Sequence, residues 1–295
     1  MIVYLGGEKL MKRGLVLEGG GMRGLFVAGV LDELMEQGLD KSFDGAIGVS
    51  AGACFGMNIK SGQKGRALRY NVNLSGNPDY ISFRSYLKTG NFVNAEFSYH
   101  TLPEKIDVFD NETFKNNPMD FYLVCSDALT GKPVYKLMNH IDYEMLEWLR
   151  ASASLPMVCR PVFIENKILF DGGLCDPIPL KQFQKLGYER NIVVLTQPLG
   201  FEKKPTSNMW LIRFLLHRYP KVVECLRHRH EVYNQELEYI KEEAQKGNTL
   251  LIAPSEALNI GRIEMKPEKL KRVHQEGRNV CKQKLAEIKD FLNRK

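Results

Sequence analysis

The chain contains 295 residues, which corresponds to one large domain or two modest ones and is long enough for a substantial buried core. Hydrophobic residues make up 44% and charged residues 26%, a balance that excludes a disordered or collagen-like chain. The net charge is +6, and the basic excess is concentrated in residues 266–295, near the C-terminus.

Nothing in the N-terminal or apolar segments predicts export or a membrane span. Residues 209–216 form the longest apolar stretch, which Arg213 interrupts and which is far shorter than the roughly 20 residues of a transmembrane helix. The N-terminus lacks the pattern of a secretory signal. The six cysteines are widely spaced without a Cys-x-x-Cys pair, which favours reduced thiols and disfavours a zinc site. We therefore expect a cytoplasmic protein that needs no metal and no cofactor.

Residues 1–10 do not fit the pattern of the rest of the chain. Gly6, Gly7 and Glu8 precede Met11, and their codons are typical of a purine-rich ribosome-binding stretch. We therefore expect translation to start at Met11 and leave residues 1–10 out of the fold prediction.

From residue 13 onward the pattern predicts alternating strands and helices. A short apolar run at residues 14–17 ends in three glycines and is typical of a buried strand. Apolar residues then recur at helical spacing from Leu25 until Gly38 ends the helix. A second apolar run at residues 43–49 leads into small residues suited to a helix start. This order of elements predicts a parallel sheet covered by helices.

The signals are weaker in the middle of the chain and clearer near its end. Residues 71–117 predict loops and short helices, and residues 198–205 a linker. The remaining strands are predicted at residues 121–125, 134–137, 162–164, 168–170, 191–196 and 249–253. The remaining helices are predicted at residues 143–153, 223–244 and 270–291.

A Gly-x-Ser-x-Gly sequence follows the second predicted strand. Such a sequence forms a sharp turn between a strand and a helix, which exposes the serine hydroxyl, and its glycines avoid Cβ clashes. An idle serine in a glycine-rich turn is the alternative, but the strand before the sequence and the small residues after it supply the context that the motif needs. We therefore predict Ser50 as a nucleophile, in a turn made of Gly48, Val49, Ser50, Ala51 and Gly52.

A second glycine-rich segment follows the first predicted strand and opens the first helix. It fits the Gly-x-Gly-x-x-Gly pattern of dinucleotide sites, but the acidic residue that such a site needs near the end of the second strand is missing. Free backbone N–H groups at a helix N-terminus would instead stabilise an oxyanion. We favour an oxyanion hole over a nucleotide site or a purely structural turn. The segment comprises Gly19, Gly20, Gly21, Met22, Arg23 and Gly24.

The serine needs a base, and the sequence offers two kinds of candidate. His100 and His140 lie in loop-like segments without a catalytic signature, and the other four histidines lie in basic or helical stretches. Asp171 ends an apolar strand and is followed by Gly172 and Gly173, so a tight turn presents its carboxylate. Alone, this pattern is also typical of an ordinary hairpin turn. A Ser-His-Asp triad therefore stays open at this point.

The order of three blocks, at residues 19–24, 48–52 and 171–173, resembles the patatin-like phospholipase family, whose members share them at comparable separations. The small residues 151–156 are similar to the family's segment before the aspartate block. The resemblance covers roughly residues 12–196. It implies a three-layer α/β/α sandwich with a mainly parallel sheet and hydrolysis of lipid acyl esters. It also implies a dyad without histidine, with Ser50 as nucleophile, Asp171 as proton acceptor and the glycine turn as oxyanion hole.

The resemblance also divides the chain into two parts. It implies a catalytic domain at residues 11–200 and a mostly helical C-terminal extension at residues 201–295, like that of bacterial members. Asp176 stands where many relatives carry asparagine. The expected protein is a serine hydrolase that cleaves acyl esters of phospholipids or related lipids. A carboxylesterase or acyltransferase on the same dyad is the alternative, and a non-catalytic nucleotide-binding or scaffold protein is the alternative of a different class.

Aromatic and basic side chains alternate beyond the predicted linker. They fit a patch that reaches a lipid interface, whereas nucleic acid is not expected because no recognition motif accompanies them. Packing of this helix in the core is the favoured interpretation. For the basic C-terminal helices a solvated face is favoured, with peripheral contact to an anionic membrane at its inner face as the alternative. Aromatic residues between positions 70 and 99 line an acyl pocket or fill the core. The patch comprises Trp210, Leu211, Arg213, Phe214, Leu215, Arg218, Tyr219 and Lys221.

Overall fold

The computed structural model describes residues 11–294 and the backbone of two short strands before them. The predicted translation start at Met11 concerns residues 1–10, which otherwise lie outside the described residues, and it stays a prediction. The strands are β1 (Tyr4–Leu5), β2 (Glu8–Lys9), β3 (Lys12–Leu17), β4 (Gly45–Val49), β5 (Asp120–Asp127), β6 (Pro133–Leu137), β7 (Val162–Ile164), β8 (Lys167–Asp171), β9 (Tyr188–Val194) and β10 (Thr249–Ile252).

The helices alternate with these strands in the first half of the chain and dominate its end. Short 3₁₀-helices lie at Gly21–Arg23, Asp40–Ser42 and Gly172–Leu174, and a π-helix lies at Phe97–Ile106. The α-helices are α1 (Gly24–Glu36), α2 (Ala51–Lys60), α3 (Arg66–Asn73), α4 (Phe83–Thr89), α5 (Asn111–Asn116), α6 (Tyr143–Ser152), α7 (Leu180–Lys185), α8 (Met209–Leu215), α9 (Pro220–Gln245), α10 (Pro267–Gln283) and α11 (Leu285–Asn293).

The main sheet has eight strands in the order β10-β9-β3-β4-β5-β8-β7, with β6 paired to β5 beside this path. The pairs from β10 to β5 are parallel, whereas β6, β7 and β8 form antiparallel pairs. The strand and hairpin predictions are thus confirmed, with ends shifted by a few residues. Helices join the parallel strands, as the predicted order of elements requires.

Side chains of the buried strands point alternately to the two faces of the sheet. Leu15 and Leu17 of β3 pack in the cluster that contains the apolar faces of α1, α2 and α10. Val16, between them, packs in a second cluster with α7 and α9. The sheet therefore lies between two helical layers, and the predicted three-layer α/β/α sandwich with a mainly parallel sheet is confirmed.

The mostly helical C-terminal part is built into this sandwich. Strand β10 pairs in parallel with β9 and forms one edge of the sheet. Helix α10 crosses α1 at close range, because a Cβ on Gly277 would lie only 2.1 Å from the carbonyl oxygen of Phe26. Residues on both sides of position 200 thus share one sheet and one core. The boundary between two domains at that position stays a prediction.

Helix α8 corrects the prediction for the aromatic and basic patch. Trp210 is 75% exposed and Phe214 is 72% exposed, so packing of this helix in the core is the wrong interpretation. Within the helix only Ile212 is buried, and Leu216, one turn further on, is the second apolar residue that anchors this segment to the cluster beneath it. No α-helix of the described residues has the length and apolar character needed to cross a bilayer.

Candidate active site

Ser50 lies on a strained turn between β4 and α2. Its backbone has φ 56° and ψ −126°, a conformation that residues with a Cβ rarely adopt. The flanking glycines make this turn possible, because a Cβ on Gly48 would lie 2.6 Å from Cα of Ala53 and one on Gly52 would lie 2.3 Å from the carbonyl oxygen of Leu17. The turn is the geometry that the Gly-x-Ser-x-Gly sequence predicts.

The register of the sheet places Asp171 beside Ser50. Val49, the last residue of β4, pairs with Val124 of β5, and Asp171, the last residue of β8, pairs with the next residue, Cys125. Cys125 also pairs with β6, and a residue in a strand can pair on only two sides, so β6 and β8 lie on opposite edges of β5. Strand β8 therefore continues the line of β4 along one edge of β5. The ends of the two strands meet, and Ser50 and Asp171 line the same small cavity.

Two serines of the segment 151–156 hold these strand ends in place. The hydroxyl of Ser152 accepts the backbone N–H of Ser50 at 3.1 Å and donates to the carbonyl of Val124 at 2.7 Å. The carbonyl of Ser154 accepts the backbone N–H of Asp171 at 2.9 Å. The small residues of this segment thus allow one chain to contact both the serine turn and the aspartate turn.

The carboxylate of Asp171 is almost completely buried, with 1% of the residue exposed. Its Oδ1 accepts the N–H of Gly173 at 2.8 Å, whereas Oδ2 has no hydrogen-bond partner of ordinary geometry among the described residues. Burial raises the pKa of Asp171, and the nearby Ser50 hydroxyl and Arg229 guanidinium act in the opposite direction. A buried carboxylate oxygen with an unused lone pair and a raised pKa is suited to accept a proton from a neighbouring hydroxyl.

Three of the six predicted oxyanion donors are already used within the fold, which narrows that prediction. The N–H of Met22 donates to the carbonyl of Arg262 at 3.1 Å, and the N–H of Arg23 lies 3.4 Å from the carbonyl of Gly20. The N–H of Gly24 closes the 3₁₀ turn at the start of α1. The amides of Arg23 and Gly24 close a helical turn and that of Met22 bonds to the loop before α10, so none of the three is free for a ligand.

The N–H groups of the first three glycines are differently placed. Within the part of the chain that the structure describes, the amides of Gly19, Gly20 and Gly21 meet no acceptor. Gly19 lies against the serine turn, since a Cβ there would be 2.8 Å from Cβ of Ser50. Gly21 has φ 58°, which a glycine adopts without strain. Donors are therefore available beside the serine, where an oxyanion would form.

An apolar cavity of about 170 Å³ opens beside Ser50. Tyr70, Tyr80 and Tyr99, from the segment considered for an acyl pocket, lie on its wall together with Cys54. Burial raises the pKa of Cys54 to about 12, so its thiol stays protonated and inert. Engineered apolar cavities of roughly 150 Å³ bind benzene, so this cavity has room for about six carbon atoms.

A second cavity of about 30 Å³ also reaches Ser50 and Asp171, and it is lined by charged residues. One of them, Glu18, accepts the N–H of Thr196 at 2.6 Å and the hydroxyl of Tyr233 at 3.0 Å. Sequence reasoning found Arg23 and Asp171 but missed the other four, because they come from distant segments and share no motif. The charged lining residues are Glu18, Arg23, Asp171, Lys203, Arg229 and Arg262.

No histidine of the described residues lines either cavity. The two histidines that the sequence left open have other partners: His100 lies 3.0 Å from Glu147, and His140 lies 2.9 Å from Asp142. The described side chains likewise contain no group of three or more His, Cys, Asp or Glu that could hold a metal ion.

Asp176, in the loop after the aspartate block, contacts the rest of the fold rather than the serine. The hydroxyl of Tyr135 donates to its Oδ2 at 2.5 Å. Burial raises the pKa of Asp176 and also that of Glu236 on α9, whose carboxyl adjoins it. The loop is thereby connected to α9.

Comparisons with known proteins match both parts of the chain. A family model described as patatin-like phospholipase matches residues 15–183, and a domain of unknown function (DUF6363) matches residues 219–293. The uncharacterized protein YjjU of Escherichia coli is 25% identical over 288 residues, which cover 95% of this chain and 79% of that protein. The lysophospholipase nte1 of Aspergillus fumigatus is 25% identical over 177 residues, which cover 59% of this chain and 11% of that protein. Among solved structures, VipD from Legionella pneumophila aligns over 95% of this chain and 68% of its own, with a TM-score of 0.49 and 12% identity.

Proposed function

Because the chain belongs to the patatin-like phospholipase family, a family of lipid hydrolases, we propose that it cleaves acyl esters of phospholipids or related lipids through Ser50 and Asp171. The observation that carries this proposal is the meeting of two strand ends: a strained serine and a buried carboxylate with an unused oxygen line one cavity. The apolar cavity beside the serine supplies the place for an acyl chain.

The proposed reaction has two halves with one acyl-enzyme intermediate between them. Asp171 accepts the proton of Ser50 while Oγ attacks the ester carbonyl, and the N–H groups of Gly19, Gly20 and Gly21 stabilise the resulting oxyanion. The C–O bond to the alcohol then breaks, and Asp171 returns the proton to the leaving oxygen. Water attacks the acyl-enzyme by the same route and releases the fatty acid and the free serine.

The environment of Asp171 fits the role of a base without histidine. A carboxylate in water is too weak a base to take a proton from a hydroxyl, and burial strengthens it by raising its pKa. The N–H of Gly173 fixes Oδ1 and leaves Oδ2 for the proton. The serine turn keeps the hydroxyl at the strand end, so neither group has to move far.

We also propose that the protein is cytoplasmic and contacts an anionic membrane peripherally. The contact would be made by helix α8 and the basic C-terminal helices. Trp210 and Phe214 are exposed, as aromatic side chains at a bilayer interface are, and Arg213 lies between them. Lys271 and Arg272 of α10 are also exposed. Binding to vesicles that contain an anionic lipid, and its loss in Trp210→Ala, tests this contact. Equal binding to neutral vesicles would contradict it.

Labelling with a fluorophosphonate probe tests the catalytic proposal most directly. We expect the probe to modify the wild-type protein on Ser50 and to leave Ser50→Ala unmodified. Labelling that persists in Ser50→Ala, or that is absent from the wild type, would contradict the proposal. A panel of lipid esters with and without an added alcohol then separates hydrolysis from acyl transfer, since transfer yields a new ester instead of free fatty acid.

A further inference from the structure

The structure points to an anion site beside the proposed dyad: we propose that Lys203, Arg229 and Arg262, with Arg23, bind a phosphate group of the ester substrate. The inference rests on the proposed function in one respect, because it takes the phosphate to belong to the ester that Ser50 cleaves. It assigns to the C-terminal part of the chain the recognition of the substrate's charged end.

The four cations come from four segments and line one cavity. Arg23 follows the glycine turn and Lys203 lies in the segment between β9 and α8. Arg229 is on α9, and Arg262 is in the loop between β10 and α10. Ser50 lines the same cavity. Three of the cations lie outside residues 15–183, so they are not part of the segment that matches the family model. A ligand in this cavity would contact the serine and three C-terminal side chains together.

None of these cations has an anionic partner among the described residues. All ion pairs within 4.0 Å in that part of the chain involve other side chains. Nε of Arg23 is buried and lacks a hydrogen-bond partner. Arg229 uses its Nε for the carbonyl of Gly173 at 2.5 Å, which leaves its terminal nitrogens for a ligand. Cations that are collected without an anion destabilise a fold, and a bound anion removes that repulsion.

The two carboxylates of the cavity do not supply this anion. Both oxygens of Glu18 are occupied by Thr196 and Tyr233, and burial raises its pKa. Asp171 is the proposed base and carries at most one negative charge. Four cations therefore face two carboxylates, and the excess is positive even when both carboxylates are ionised.

Lys203 is fixed in this cavity by contacts of its own. Its backbone N–H and carbonyl both bond to the side chain of Asn234 on α9, at 2.9 and 3.1 Å, and its ammonium lies 4.3 Å from the ring centre of Tyr233. Burial lowers the pKa of Lys203 to about 7, and the positive charges of Arg229, Arg262 and Arg23 act in the same direction. The negative charge of Glu18 opposes this shift. The next residue, Lys204, is exposed and 3.7 Å from Glu202, so it is a matched control.

Phosphate fits this arrangement better than a neutral headgroup. Guanidinium groups bind tetrahedral phosphate oxygens through paired donors, and several cations match its charge of one to two. The cavity is small, about 30 Å³, so it admits the charged end of a ligand and not a long chain. With the acyl chain in the apolar cavity and the ester at Ser50, the alcohol side of the substrate is left to occupy the cationic one.

Binding to the Ser50→Ala protein tests the site without turnover. The ligands are 1-octanoylglycerol and its 3-phosphate, which differ only in the phosphate and are measured by calorimetry below their micelle concentrations. We expect the phosphate ester to bind at least tenfold more tightly, because each charge-assisted hydrogen bond changes a binding constant by about tenfold or more. Equal affinities would overturn the proposal. Inorganic phosphate that binds as tightly as the phosphate ester would show a site for free phosphate and would overturn the assignment to a headgroup.

Variants of the cations locate the effect. In the Ser50→Ala background, Lys203→Met and Arg262→Gln are each expected to reduce the preference for the phosphate ester by about tenfold, whereas Lys204→Met leaves it within twofold of the parent. An unchanged preference in both cation variants would overturn the assignment of these residues. Arg229→Lys is a poorer test, because it keeps the positive charge and also removes the hydrogen bond from Arg229 to the carbonyl of Gly173, next to the proposed base.

Hydrolysis by the protein with Ser50 intact separates this proposal from the proposed function. Failure of the proposed function appears as the absence of turnover and of fluorophosphonate labelling, while the phosphate preference in binding persists. Failure of the anion site appears as turnover of both esters with equal kcat/KM. The two results cannot be mistaken for each other, because the first concerns Ser50 chemistry and the second concerns only the ratio between two ligands.

Discussion

The two cavities that reach Ser50 differ in almost every physical respect. The larger one is mostly apolar and is walled by α2 and three tyrosines, and apart from Arg262 and Ile263 its lining residues lie in the segment that matches the family model. The smaller one is lined by cations, most of which come from the C-terminal part. Under the proposed function, the acyl chain is recognised mainly by the first part of the chain and the charged end of the substrate mainly by the second, while Ser50 and Arg262 line both cavities.

The largest effect is expected at the proposed dyad of Ser50 and Asp171. Asp171→Asn keeps the shape of the side chain but removes the proton acceptor, so we expect kcat to fall at least about 10³-fold toward every ester. The variant should unfold at the same or a higher temperature than the wild type. Burial raises the pKa of Asp171 in the fold, so the ionised carboxylate destabilises the native state at neutral pH, and asparagine relieves that cost. Full activity of Asp171→Asn would disprove its role.

A methyl group on the glycine turn is expected to act next most strongly. In Gly19→Ala the new Cβ would lie 2.6 Å from the carbonyl oxygen of Val49, so the turn must shift away from the serine. Loss of one oxyanion donor costs roughly 10²–10³ in kcat, and we expect a fall of that size. Gly200→Ala is the control, because its Cβ would meet nothing within 4 Å. Kinetics on one neutral ester suffice, and equal activity of the two variants would contradict the proposed oxyanion hole.

These two predictions concern residues that could be identified from the sequence, because the motifs that contain them span only a few positions. The turn at Ser50 and the glycines around it must have these residue types within five positions, since a Cβ would clash there. The resemblance supplied Asp171, and the sheet register then brought it beside Ser50. Lys203 and Arg262 carried no such signal, because a cavity assembled from distant segments leaves no fixed spacing. Exposure of Trp210 was likewise missed, since amphipathic spacing does not say whether a second layer covers the helix.

The apolar cavity should set the preferred length of the acyl chain. Cys54 lies on its wall, one turn of α2 after the serine, so Cys54→Phe should fill part of the space. We expect the ratio of kcat/KM for octanoyl over acetyl esters to fall about tenfold, as each excluded methylene loses roughly 0.8 kcal/mol of burial. Cys54→Ala removes the thiol without adding volume and should keep the wild-type ratio. A ratio that stays constant in Cys54→Phe would place the acyl chain elsewhere.

The cationic cavity should give the two esters different pH profiles. Lys203 is charged below its pKa of about 7 and loses the proton as the pH rises through this value. The kcat/KM of the phosphate ester, relative to that of 1-octanoylglycerol, is therefore expected to fall by up to about fivefold between pH 7 and pH 9, a range that lies above the second pKa of the phosphate group, which is about 6. Lys203→Met should abolish this limb of the ratio, and Lys204→Met should retain it. A ratio independent of pH in the wild type would contradict the role of Lys203.

The smallest effect concerns stability and separates a functional cation from a structural one. The pKa of Lys203 is lower in the fold than the value of about 10.4 expected for an unfolded chain. The charged form therefore destabilises the native state, fully below pH 7 and progressively less as the pH rises toward 10. Lys203→Met keeps the apolar stem over Tyr233 and removes the charge, so at pH 6 we expect Tm to increase by roughly 2–4 °C. Scanning calorimetry at pH 6 and pH 10 should show the gain only at the lower pH. A decrease in Tm at pH 6 would mean that the ammonium stabilises the fold, and its place in an anion site would lose this support.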